Sequence, residues 1–222
     1  MTRMMRIAVA IGSACLLAAC SSHGSSQTAP TADITKISQV KSDFGPEFKV
    51  KDVPKAAIDP KVLSTHKLPP GLKFDPPDCS SFVVGEDMPP GLQGNMAAVA
   101  AEGDGNRFIA MAVQTSEAVP VNDPGRKCQK VGFEGGRVRG LIEVVQAPQI
   151  QGTRTLGVHR VLQTTVNGKP RSGELYNYTA HFGDYQVIIT ANPVLQPGKS
   201  ATPIDTNRAR DLLVKSVAAI RS

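Results

Sequence analysis

The sequence predicts an α+β fold: an antiparallel β-sheet with one face packed on N- and C-terminal helices, braced by one disulfide. Three observations predict it. Apolar residues recur at helical spacing near both ends of the domain, strand-like runs divided by Gly- and Asp-rich turns fill the second half, and only two cysteines remain once the N-terminal segment is accounted for.

That segment begins with Arg3 and Arg6, followed by an apolar stretch, Ile7 to Ala19, too short to span a bilayer. It closes on Leu17-Ala18-Ala19-Cys20, and polar residues from Ser21 follow at once. Small residues directly before a cysteine are what bacterial lipoprotein processing requires. Residues 1–19 are therefore expected to be a lipoprotein signal peptide, removed ahead of a lipidated Cys20. One acyl chain holds a protein to a membrane only marginally, at about 0.8 kcal/mol per buried methylene, whereas the diacylglyceryl group of a lipobox cysteine anchors it stably. The expected location is the cell membrane, lipid-anchored on its extracytoplasmic face. Residues 20–32, rich in Ser, Thr and Ala, form the lipidated cysteine and a flexible tether with a root-mean-square span of roughly 20 Å. A single α+β domain is expected over 33–222.

The first element of that domain is an amphipathic helix. Asp33 precedes Ile34, Ile37, Val40 and Phe44, with Lys36 and Lys41 on the other side and Gly45-Pro46 as a stop. Between Val50 and Pro90 paired prolines predict an ordered coil pinned by Cys79, with a short helical turn at Asp59 to Ser64. Met96 to Ala101 and Arg107 to Gln114 read as a hairpin around Glu102 to Asn106, a turn that lacks the spaced carboxylates of a calcium loop. Gly135-Gly136 makes a further turn before Arg137 to Gln146.

Leu156 to Val166 and Glu174 to Phe182 are expected to pair symmetrically about a loop at Asn167 to Gly173. Phe182 then turns through Gly183-Asp184 into Tyr185, a two-residue type II′ hairpin. In this register one face collects Val158, Leu162, Tyr176, Tyr178, Ala180, Phe182, Tyr185, Val187 and Ile189, with Arg160 as the exception. Its cover is the C-terminal helix, where Ala209, Leu212, Leu213, Val217 and Ile220 recur after Thr206 as N-cap.

Export settles the cysteines. Cys15 leaves with the signal and Cys20 is acylated, so Cys79 and Cys128 form the one available bridge in an oxidising compartment. The formal net charge of +6 falls to +4 once Arg3 and Arg6 are removed. No basic stretch interleaved with aromatics accompanies it, so the partner is the membrane and not nucleic acid.

The predicted register places His159 opposite His181 on the polar face, a candidate pH-sensing or metal pair. Two histidines fall short of the three or four protein ligands a metal needs, so no metal or other cofactor is assigned. Ser38 and Lys41 form an S-x-x-K tetrad, but the S-D-N and K-T-G elements that complete such a site are missing, as are G-x-S-x-G, H-E-x-x-H and a P-loop. Arg137, Arg139, Arg154, Lys169 and Arg171 are candidates for an anion cluster.

The phrases PPGLKFDPPDC (69–79), GDGNRFIAMAVQT (103–115), TLGVHRVLQTTVNGKP (155–170) and HFGDYQVIITANP (181–193) resemble those of a family of mycobacterial cell-envelope lipoproteins whose domain has no assigned function. More distantly, the order of helix, disulfide, antiparallel sheet and C-terminal helix is similar to the external sensor domain of PknH-type serine/threonine kinases. Those domains usually carry two disulfides and a tryptophan near one cysteine; this chain has one expected bridge and no tryptophan. The resemblance implies an envelope-facing protein and carries no catalytic residues over. The expected function is a non-catalytic binding or sensing module for an envelope lipid, glycan, small molecule or protein partner. The rival readings are an envelope hydrolase with an unfamiliar site and a passive structural or assembly lipoprotein.

Overall fold

A computed structural model describes residues 31–58, 68, 70–84, 89, 91–166, 168–195 and 200–222. A 3-10 helix, Ile34–Asp43, leads into β1 (Lys49–Ala57) and β2 (Lys73–Asp75). A 3-10 turn at Pro77–Cys79 runs into the short helix α1 (Ser80–Val84). Then come β3 (Gly94–Gly103), β4 (Asn106–Thr115), β5 (Lys130–Gly135), β6 (Val138–Val145), β7 (Arg154–Val166), β8 (Lys169–Phe182), β9 (Tyr185–Pro193) and α2 (Thr206–Arg221). The nine strands form one antiparallel sheet in the order β1-β3-β4-β9-β8-β7-β6-β5-β2. This is the predicted α+β architecture, with a helix at each end of the domain and the predicted bridge in place.

The N-terminal helix starts where Asp33 Oδ1 accepts the Thr35 backbone N–H at 2.9 Å. Its buried residues, Ile34, Ile37 and Val40, are three apart, which stacks them into one stripe at three residues per turn. Phe44 caps the helix and its ring lies 5.2 Å from Phe48 and 6.2 Å from Phe108. In α2 the N-cap is Asp205 and not Thr206: Asp205 Oδ1 accepts from the Arg208 backbone N–H at 2.9 Å. The apolar stripe predicted for α2 is buried throughout.

The region between Val50 and Pro90 is less of a coil than its prolines predict, because it supplies both edge strands. Pro54 sits in β1, and the register slips between Val53 and Ala56 around it. Proline offers no N–H to a neighbour, so an edge strand is where a sheet accepts it. The predicted turn at Asp59 to Ser64 lies outside the described residues.

One face of the sheet is covered over β1, β3, β4, β9 and β8 by the 3-10 helix and α2. Beneath them stand Ala97, Ala101, Ala110, Ala112, Ala180 and Ala191, all at most 2% exposed. Such small residues let helix side chains approach the strand backbones at interior packing density. Tyr178, Val187, Ile189 and Phe108 fill the spaces between.

The β8–β9 hairpin has the predicted register, with Phe182 paired to Tyr185 and Tyr178 to Ile189. The β7–β8 hairpin does not. Val166 pairs with Lys169, so two residues separate the strands instead of seven. A shift of five positions is odd, and an odd shift moves every side chain of β7 to the other face. Val158 and Leu162 therefore leave the helix-covered core, and Arg160 is no exception within it.

Val158 belongs instead to a second core on the far face, whereas Leu162 is exposed there. Val131, Phe133, Ile142 and Val158 from the sheet pack there against Cys79, Phe82 and Val83. The Cys79–Cys128 bridge closes 49 residues of sequence separation and holds this segment on the strands. In the chain-entropy account, a loop of that size contributes about 4 kcal/mol.

Candidate functional site

The two covers lie on opposite faces and over different strands. The helices protect one face of β1, β3, β4, β9 and β8, whereas the disulfide segment protects the other face of β7, β6, β5 and β2. The helix-side face of this second group has no helix over it.

Cross-strand pairing shows how the surface changes along the sheet. One row runs Ala101, Phe108, Ala191, Tyr176, His159, Glu143, Lys130. It begins fully buried under the 3-10 helix and ends in exposed charge. The adjacent row is Glu174, Val161, Leu141, Gly132, Asp75, and the next is Ser172, Gln163, Arg139, Glu134, Lys73. The middle row is thus an apolar floor between polar banks.

A groove of about 640 Å³ opens there, lined by Val161, Leu141 and Gly132 with Lys73, Asp75, Glu134, Arg139 and Gln163. Gly132 makes the depression: a Cβ added to it would meet only Asp75 backbone O, at 3.9 Å, so the position is empty space. Gly140, on the neighbouring strand, serves the opposite face. A Cβ there would run into the Phe133 ring and lie 2.6 Å from Val161 O.

His159 stands at the inner end of this open face. Its Nε2 lies 2.8 Å from Glu174 Oε1, and its ring stacks on Tyr176 at 4.3 Å and 12°. Tyr176 is in turn nearly parallel to Tyr178, 6.4 Å away. Burial raises the phenol pKa of both tyrosines; Glu174 adds to the shift at Tyr176, and Arg210 opposes it at Tyr178.

The predicted His159–His181 pair is not formed. His159 is paired with Tyr176, and His181 lies between Arg154 and Gln186 on the other face. Gln186 Nε2 approaches His181 Nε2 at 3.3 Å, a contact in which the neutral imidazole accepts. Burial, reinforced by the Arg154 charge, lowers the His181 pKa to about 4. Among the described residues, no three His, Cys, Asp or Glu side chains come together as a metal site.

The other sequence candidates are dispersed. Lys41 of the S-x-x-K tetrad donates to Asp52 at 2.9 Å, and Glu102 of the first hairpin pairs with Arg107 at 2.8 Å. Of the five cations considered as an anion cluster, Arg154 is drawn to Asp123 at 3.2 Å. Arg171 pairs across from Thr164, and Lys169 closes the β7–β8 turn. Arg137 and Arg139 do converge, together with Lys73, which sequence reasoning missed because it lies on a strand hidden among prolines. Arg160 stands on the far face between Ile142 and Leu175, where burial lowers its pKa. Cys20 lies outside the described residues.

These features define a disulfide-braced α+β sheet domain with one covered half and one grooved half. The chain belongs to the family described as Domain of unknown function (DUF5642), which matches residues 33–221. It is similar to a crystal structure of an uncharacterised protein of Mycobacterium smegmatis, the Rv0999 ortholog, at 57% identity and a TM-score of 0.82. That likeness covers 87% of this chain and 99% of the other. The extracellular domain of PknH from Mycobacterium tuberculosis matches at 12% identity over 84% of this chain and 91% of that one, with a TM-score of 0.36. At that level nothing passes from one protein to the other. Among curated proteins no significant match was found.

Proposed function

We propose that this chain is a non-catalytic binding module, anchored through Cys20 on the extracytoplasmic face of the membrane, whose open half-sheet holds an envelope ligand. The observation that carries this reading is the groove of about 640 Å³ with an apolar floor, Asp75 at its end and a polar bank that carries both signs of charge. A concave surface with a few converging polar groups is the usual form of a small-molecule site. The floor suits the apolar part of a lipid, glycan or metabolite, and the banks suit its polar groups. At the inner end of this face the His159 Nε2 is engaged by Glu174 and its ring by Tyr176, an arrangement that braces strands.

Native mass spectrometry of the chain purified from its host tests the reading. The expected result is a bound mass in the unmodified protein and a clean apo mass in Gly132→Leu, which fills the groove from a position with room for a side chain. A clean apo mass in both would remove the reading. The anchor is tested separately. Cys20→Ser is expected to abolish incorporation of an alkyne-labelled fatty acid and to release the protein from membranes, and retention of the label would refute lipidation at Cys20.

A further inference from the structure

Where β5 turns into β6, the groove continues into a second cavity of about 600 Å³. Three cations line it, Lys73, Arg137 and Arg139, against one carboxylate, Glu134, with Thr165 of β7 on the same face as Gln163. The convergence follows from register. Lys73 pairs with Glu134, Glu134 with Arg139 and Arg139 with Gln163, so their side chains stand in one row. The Thr165 backbone N–H donates to Arg137 O at 3.3 Å and ties the turn to β7. Gly135 lets the chain before β2 close in, because a Cβ there would lie 3.0 Å from Leu72 and 3.1 Å from Gly71 O.

Six other cations of the surface are neutralised by a carboxylate. Lys41, Arg107, Lys130, Arg154, Arg208 and Lys215 each have an acidic partner within 4 Å. Among the described residues no ion pair engages Lys73, Arg137 or Arg139, and Arg139 Nε donates to the neutral Gln163 Oε1 at 2.7 Å. One carboxylate offsets one of the three charges, which leaves two positive charges facing a common space.

We propose that this cavity is an oxyanion site that takes a phosphate group. Guanidinium forks match phosphate oxygens, a lysine adds a point charge, and the hydroxyl of Thr165 can donate to a remaining oxygen. Donors from β2, the β5–β6 turn, β6 and β7 surround more oxygens than a carboxylate possesses. The inference rests on the ligand-holding reading of the adjoining groove and names the chemistry of the ligand's polar end.

The site also has a direction. Asp33, where the tether would leave, donates its backbone N–H to Ile220 O at 2.7 Å, and Arg221 reaches Gln151 O and Gly152 O just before β7 begins. The cavity lies at the other end of β7, roughly 35 Å away at the rise of an extended strand. The phosphate of a soluble envelope molecule is therefore the first source to test, and a lipid headgroup the second.

The test uses the chain from Ser21 onward, since every element among the described residues lies between Ile34 and Arg221 and the family match spans 33–221. It is titrated with inorganic phosphate, with glycerol 1-phosphate, and with phosphatidylcholine vesicles with or without phosphatidylglycerol. Saturable, salt-sensitive binding is expected for the soluble phosphates. It should weaken about tenfold in R137Q/R139Q and tighten severalfold in E134Q, a gain that unfolding does not imitate. Vesicle binding with the same dependence on these variants would support the site and assign the phosphate to a lipid headgroup. Absence of saturable binding in every arm, or binding indifferent to R137Q/R139Q, would overturn the proposal. A chain that purifies with a molecule in the groove yet ignores phosphate loses this inference and keeps the ligand-holding reading; a chain that binds phosphate with an empty groove does the reverse.

Discussion

The two halves of the sheet are built to different standards of closure. Under the 3-10 helix and α2, alanines alternate with Phe108, Tyr178, Val187 and Ile189, and the start of the 3-10 helix is joined to the end of α2 by contacts such as Asp33 to Ile220. Under the disulfide segment, the core is a handful of side chains around Cys79, Phe82 and Phe133, held by one covalent bond. The first half covers its inner face completely. The second has its cover on the reverse side, so its inner face is free for the groove. A small core braced covalently leaves a sheet face bare without losing the strands that carry it, which is how a binding surface is reconciled with a stable scaffold.

The largest test of this contrast is Cys79→Ser with Cys128→Ser, expected to cost about 4 kcal/mol in denaturant titrations. Amide exchange should accelerate in β5, β6 and β2 while β3, β4 and β9 stay protected. Equal loss of protection in both halves would show that they are one cooperative unit.

Acid probes the far face of the helix-braced half. Unfolded His181 protonates near pH 6.5 and the folded residue near pH 4, so the unfolded state binds more protons between those values. The contribution of the neutral, buried ring is fully present above pH 6.5 and is lost as pH falls towards 4. By linkage the loss amounts to about 3 kcal/mol at most. His181→Gln should flatten that part of the pH–stability curve, and an unchanged slope would place the acid sensitivity elsewhere.

A matched pair of glycine variants compares the cores directly. In Gly157→Ala the new methyl would lie 2.7 Å from Val145 O and 3.0 Å from the Tyr178 ring in the first core. In Gly140→Ala it meets Phe133 in the second. Each should cost about 2 kcal/mol by overpacking. Thermal melts give the size, and exchange should localise the first effect to β7–β9 and the second to β5–β6. The smallest effect is expected from Lys41→Ala, which removes an ion pair about half exposed on both sides. It should change stability by about 0.5 kcal/mol, fading in high salt.

Much of the helix-covered half was legible in the sequence because its signals are local. The stripe of Ala209, Leu212, Leu213, Val217 and Ile220 and the turn at Gly183-Asp184 each depend on a few neighbouring residues. The β7–β8 register turns on one local signal. Asn167-Gly168 is itself a hairpin dipeptide, and reading it as two turn residues would have moved His159 to Glu174 and Tyr176, and Val158 to the second core. The groove was harder to see. Gly132 and Gly140, glycines inside strands, were available as hints of close backbone approach or missing side chains, but only strand order brings β2 beside β5.

The sequence by itself determined the fold class, the partners of the disulfide, the core face of α2 and the expected address at Cys20, since each follows from short-range periodicity, elimination or a contiguous motif. The tertiary structure alone decided which face each half of the sheet covers, the separation of His159 from His181, and the meeting of Lys73 with Arg137 and Arg139. These depend on strand order and on the parity of a register, where one odd shift exchanges the two faces of a strand and no residue along the chain changes its identity.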